Sequence, residues 1–167
     1  PNEEDYREMT GVSKIRVFNA DSGKIGVLIC YDVESPDPSR LMADEGMHIL
    51  FMPFLTETQN GYSRVRYCAR DRDTENECYV AIAGSIGHLP KVSNKDIQYA
   101  QDAVFTPADI SFPTNGLKAE ATPNTEMTPI EDADPDLLKE LHNYGSVCNL
   151  KDRRLDLHEL RRRVQIT

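Results

Sequence analysis

Three short apolar runs, separated by charged stretches of helical length, limit this chain more than any other feature. They occupy residues 24–30, 48–54 and 78–85. The second, His-Ile-Leu-Phe-Met-Pro-Phe, is too continuous for a strand with one wet face and implies burial on both sides. The third reads the same way. Between the first two, residues 38–45 suit a helix, with proline near its first turn, Leu41 and Met42 as apolar positions, and Gly46 to end it. Between the last two, residues 62–77 suit a second helix, with Val65, Ala69 and Arg72 or Asp73 on successive turns. Strand, helix, strand, helix, strand predicts an α/β layer arrangement.

The flanks extend this unit. Residues 15–18 alternate as a strand does, and Asp21-Ser22-Gly23 supplies a turn, so a hairpin leads into the first apolar run. Residues 86–117 read as loop-rich, with a short strand near 103–106. Residues 118–122 and 126–130 are expected to pair as edge strands around Pro123-Asn124. Residues 136–143 predict a helix with negative charge at its start (Asp134 or Asp136) and an apolar stripe of Leu137, Leu138 and Leu141. The tail, residues 151–163, has only Leu155, Leu157 and Leu160 as apolar side chains; such a segment is either mobile or laid across another surface. We therefore divide the chain into a domain at 1–145 and a charged tail at 146–167, expected to act as an interface arm. The first ten residues are acidic and polar and open on Pro1 without methionine, which reads as a surface segment cut from something longer.

Composition narrows the partners. A formal charge of −9 over 167 residues disfavours nucleic acid or an anionic membrane as the main partner. No apolar run reaches the roughly 18 residues that span a bilayer, and no segment reads as a secretory signal, so a cytoplasmic protein is expected. The four cysteines, Cys30, Cys68, Cys78 and Cys148, show no Cys-x-x-Cys spacing, and the four histidines form no short pair. No metal site is expected, and reduced thiols are the default.

The stretch from Gly23 to Arg40 is the most informative. A buried strand, residues 26–30, delivers Cys30 to a sharp turn with a helix starting soon after. A thiol at a strand's carboxyl end, near backbone N–H groups and a helix N-terminus, is where an α/β protein places a nucleophile. An inert core cysteine is the other reading, since free cysteine is among the most buried residue types.

The string Gly-Val-Leu-Ile-Cys-Tyr-Asp, followed by Pro36-Asp37 and Arg40, resembles the nucleophile block of the nitrilase superfamily of carbon–nitrogen hydrolases. The run from Asp44 to Phe54 resembles that family's next strand, which ends in a proline close to the active site. The block from Arg66 to Ala81 resembles its Arg-Ala-x-x-Glu-Asn-x-x-Tyr-Val helix-to-strand segment. The blocks occur in the family's order. Short strings near residues 118–127 and 149–157 also resemble a branch fused behind an N-acetyltransferase-like domain.

The resemblance implies that the chain is the C-terminal half of a four-layer α-β-β-α sandwich, usually a homodimer or larger homo-oligomer. It implies hydrolysis of a non-peptide C–N bond in a small molecule, an amide or N-carbamoyl group rather than a nitrile, because Tyr31-Asp32 follows the cysteine instead of Trp-Glu. A Glu-Lys-Cys triad is implied, with Cys30 forming a thioester and no cofactor required. The triad's Glu and Lys match nothing in this chain and are expected from the N-terminal half of the same enzyme; Lys14 and Lys24 lie in or beside the hairpin and are poor substitutes. Glu3 is the candidate auxiliary glutamate, with Glu4 the alternative, against a plain solvated acidic terminus. The Tyr31 backbone N–H is the expected oxyanion donor, and Pro53 and Phe54 are expected in the substrate pocket. Asp37 stands where the family usually has Glu, and Glu34-Ser35 where many amidases have Arg-Phe. Glu75 and Asn76 read as groups orienting a helix end, Cys68 and Cys78 as packing residues, and His48 as a satisfied boundary histidine. Two rivals remain at this point: a non-catalytic fragment, partner-dependent subunit or pseudoenzyme, and a binding role for the acidic domain with its arginine-rich tail.

Overall fold

The structure is a computed structural model that describes residues 14–21, 23–91 and 97–160. A six-stranded sheet organises it. In chain order the strands are β1 (Val17–Ala20), β2 (Gly23–Val27), β3 (Ile49–Phe54), β4 (Tyr79–Gly84), β7 (Ala103–Phe105) and β8 (Leu117–Glu120), and they lie side by side in that order. The central three are parallel and the outer pairings antiparallel. Two short strands, β5 (Gly87–His88) and β6 (Ile97–Gln98), form a separate ribbon.

Parallel neighbours need a crossover, and the two charged stretches supply them. Helix α1 (Pro36–Asp44) joins β2 to β3, and α2 (Gln59–Asn76) joins β3 to β4. The Thr58 hydroxyl caps α2 by accepting from Gly61 N–H at 3.1 Å, which starts the helix three residues earlier than predicted. Glu77 ends it in the left-handed conformation, φ 49°. Met42 of α1 and Val65 and Ala69 of α2 pack on one sheet face with Leu50, Met52, Val80, Ile82 and Phe105. Strand alternation sends Ile49 and Tyr79 to the other face. There α3 (Pro135–Tyr144) buries Leu138 and Leu141 against Tyr79 and Phe112.

Among the described residues, that second face is only partly covered. Beyond α3, toward the carboxyl ends of the parallel strands, Val27, Ile29 and Phe51 stand exposed beside Pro53 and Ala83. Contiguous apolar side chains on a sheet face mark a surface that another layer covers.

Two sequence expectations change. Residues 126–130 form no strand, and β8 pairs with β7 instead, because Ala103–Phe105 offers the sheet edge directly. The loop-rich stretch 86–117 also contains the β5–β6 ribbon. In the described part of the tail region, Asn149 Nδ2 donates to Thr74 O at 3.0 Å and Arg153 pairs with Asp44 at 2.6 Å, which puts it against α2 and α1. Among the described residues no helix is long and apolar enough to cross a membrane.

Candidate active site

Cys30 does not end the strand. The β2 ladder stops at Val27, and Cys30 opens a 3-10 turn, Cys30–Glu34. It takes φ 48°, in the left-handed region, which is costly for a side chain with a Cβ. The neighbours hold it there. Leu28 N–H donates to Phe51 O at 3.1 Å and carries the chain past the last β2–β3 pair. Asp32 N–H donates to Ile29 O at 3.0 Å, and Ile29 N–H returns a bond to Asp32 Oδ2 at 3.1 Å, closing the turn on itself. Val33 is fully buried and pins the turn to the core.

The half-buried Cys30 thiol donates to Leu55 O at 3.6 Å, which directs the sulfur toward the segment following β3. That segment is itself tied down: Tyr99 N–H donates to Thr56 O at 2.8 Å, and the Thr56 hydroxyl donates to Tyr99 O at 2.6 Å. Cys30 therefore sits at the carboxyl ends of the parallel strands, where backbone N–H groups of a helical first turn have no intrahelical acceptor. Tyr31 lies in that first turn; its side chain is 70% exposed.

Pro53 and Phe54 point to opposite faces of β3. Pro53 is exposed on the uncovered face beside Ala83, whereas Phe54 is buried in the core, its ring 6.0 Å from that of Tyr62. The structure thus brings Pro53, but not the Phe54 ring, to the open side. Glu3 and Glu4 fall outside the described residues. Lys24 is at the opposite end of β2, its ammonium donating to Glu45 O at 2.7 Å. His48 is also at that far end, where Nδ1 accepts from Lys24 N–H at 3.0 Å and burial lowers its basicity. An open cleft of about 910 Å³ borders the turn, lined by Val27, Ile29, Tyr31, Asp32 and Pro38 among others, though not by Cys30.

Two of the other thiols are shielded. Cys78 is fully buried, and burial pushes its thiol far above the ordinary range. Burial also raises Cys68. Neither setting provides a reactive thiolate. Among the described residues no group of three or more His, Cys, Asp or Glu side chains could hold a metal ion.

Helix α2 supports the turn through contacts that the sequence does not announce. Arg72, itself buried, donates from Nε to Val33 O at 3.1 Å and from Nη1 to Glu75 at 2.7 Å. Arg64 Nε donates to Glu34 Oε1 at 2.8 Å. The Arg72–Val33 and Arg64–Glu34 contacts join residues 39 and 30 positions apart, beyond the reach of local patterning. The readable signal is an acid, Asp32, three residues beyond Ile29.

Residues 1–141 match the carbon-nitrogen hydrolase family. The chain belongs to that family. This carbon-nitrogen hydrolase chain is 44% identical over 160 residues to the probable hydrolase YhcX of Bacillus subtilis, covering 96% of this chain and 31% of that protein. It is 30% identical over 104 residues to human deaminated glutathione amidase, covering 62% of this chain and 31% of the relative. Its fold matches yeast Nit3, a member of branch 10 of the nitrilase superfamily, with TM-score 0.68 and 23% identity over 82% of this chain and 47% of that one. A carbon-nitrogen hydrolase from Helicobacter pylori gives TM-score 0.71 at 18% identity, covering 89% and 52%. The mixed α/β fold is thus that of the nitrilase superfamily. The chain spans about a third of the length of these curated relatives and about half that of the two solved chains.

Proposed function

We propose that the protein containing this chain hydrolyses a non-peptide carbon–nitrogen bond, in an amide or N-carbamoyl compound, through a thioester on Cys30. The observation that carries the reading is the setting of Cys30: a left-handed residue at the head of a tight turn, at the carboxyl ends of parallel strands. The sulfur attacks the carbonyl carbon, and the oxyanion forms beside the Tyr31 N–H. As the tetrahedral centre collapses, the C–N bond breaks and nitrogen leaves with an added proton as ammonia or an amine. Water then adds to the thioester and releases the acid, returning the proton to the thiol. These proton transfers need a base and a cation; in this reading the remainder of the protein supplies them as the triad's Glu and Lys, with Glu3 as an auxiliary acid. Pro53 lies at the rim of the pocket and Phe54 supports it from behind. The chemistry needs no cofactor.

The uncovered face around Val27, Phe51 and Pro53 is where the N-terminal half of the same enzyme would pack, completing the four-layer sandwich. The length of the Bacillus relative leaves room for a further domain, in keeping with an acetyltransferase-like fusion. We place the protein in the cytoplasm as a homo-oligomer, with residues 146–167 as an interface arm on a domain at 1–145. Truncation after Leu150 should reduce the particle size by light scattering; an unchanged size counts against the arm.

The deciding experiment assays ammonia release from a panel of amides and N-carbamoyl compounds by the full-length protein and its Cys30→Ala variant. Turnover by the parent and none by the variant is expected. Equal turnover ends the proposal, and no turnover by either favours a non-catalytic role.

A further inference from the structure

We propose that the Arg64–Glu34 ion pair is a positioning device for Cys30, bracing the far end of the turn against α2. The inference rests on the reading of Cys30 as nucleophile. A left-handed cysteine persists only where its surroundings over-determine it. The near end of the turn is closed locally by Ile29 and Asp32, but the far end, Val33 and Glu34, is gripped from outside. Both grips come from one helix: Arg72 holds the Val33 carbonyl and Arg64 holds the Glu34 carboxylate. Eight residues separate them, about 12 Å along a rigid rod, so the turn is fixed in rotation as well as in depth. The same helix is capped by Thr58, three residues beyond Leu55, whose carbonyl receives the Cys30 thiol. Glu34 keeps its carboxylate largely sheltered, at 17% exposure, whereas Arg64 is 62% exposed. Only Nε of the Arg64 guanidinium is engaged among the described residues.

A pair whose arginine stands mostly in water contributes little to global stability, yet turnover depends on placement to a fraction of an ångström. That difference separates positioning from plain structural support. In the full-length protein we expect Arg64→Gln and Glu34→Gln each to lower kcat about tenfold while leaving KM and Tm essentially unchanged. Their losses should not add, and the reversed pair (Arg64→Glu with Glu34→Arg) should recover most of the activity. Opposite changes in kcat from the two single variants would mean that Arg64 acts through its charge alone, and would overturn the brace. So would additive losses, or losses that track Tm. Cys30→Ala runs beside them. Wild-type kcat in the pair variants next to an inactive Cys30→Ala overturns the brace and leaves the nucleophile standing. Turnover surviving in Cys30→Ala overturns both.

Discussion

Asp73 continues the buried row of Val65 and Ala69 along α2, an unusual setting for a carboxyl. It lies near the carboxyl end of α2 with its side chain fully buried; Oδ1 accepts from the Thr74 hydroxyl at 2.6 Å, and Oδ2 has no hydrogen-bond partner. Arg70 approaches only to 3.8 Å. Burial pushes the Asp73 carboxyl up to about 7, with Thr74 and then Arg70 pulling the other way. The folded protein keeps a proton there that the unfolded chain releases near its ordinary value of 3.8. The stability linked to this proton is complete below about pH 4 and is lost as the pH rises through about 7. Asp73→Asn keeps an acceptor for Thr74 and removes the charge. Denaturant melts should show the variant more stable than the parent at pH 8, by on the order of 1–3 kcal/mol, and the difference should shrink at pH 5. Parallel pH dependences would assign the effect to another group.

Among the elements, β4 shows how closely the layers meet near the candidate site. A Cβ at Gly84 would lie 2.4 Å from the Phe54 ring and 2.5 Å from Ala100 Cβ. Gly84 N–H also donates to Asp102 Oδ1 at 2.7 Å, which joins the strand end to the segment before β7. Gly84→Ala therefore forces the Phe54 ring back toward Tyr62, and the segment carrying Leu55 and Thr56 moves with it. A loss of roughly 1–3 kcal/mol is expected for such overpacking, together with a fall in turnover. A thermal melt within a degree of the parent would mean that the Phe54 ring yields freely. The strands and helices around this point were legible because their apolar periods run over six or more residues. The edge partner of β8 was not. Residues 126–130 include Glu126 and Pro129, both ill suited to a strand, and Leu117–Glu120 pairs with the β7 edge without them.

For the whole molecule, the uneven cover of the sheet is the main feature. The face under α1 and α2 is sealed, while the opposite face leaves Phe51 41% exposed next to Val27 and Ala81 in register. If the rest of the protein supplies the facing sheet, Phe51 becomes a core residue. Phe51→Ala in the full-length protein should then cost about 3–5 kcal/mol, the level of a buried phenylalanine. A cost within about 0.5 kcal/mol, usual for surface positions, would leave this face uncovered. The tail belongs to the same scale: Arg153 spans from the tail to Asp44 on α1, so the last described segment is held by the helical layer and not by the sheet.

The amino-acid sequence by itself determined the central strand–helix–strand–helix–strand order and the turn that bears Cys30. These follow from periodicity, breakers and a short motif, all local properties of the chain. Only the tertiary structure decided that the strand stops at Val27 and that Cys30 takes a left-handed φ. It also separated Phe54 from the open side and set Arg64 and Arg72 against the turn. Those outcomes depend on contacts between residues distant in the chain, where burial and available partners outweigh local preference. Cys30 read alone is more readily a core thiol; its neighbours across the sheet and on α2 hold it in a left-handed turn at the carboxyl ends of the parallel strands.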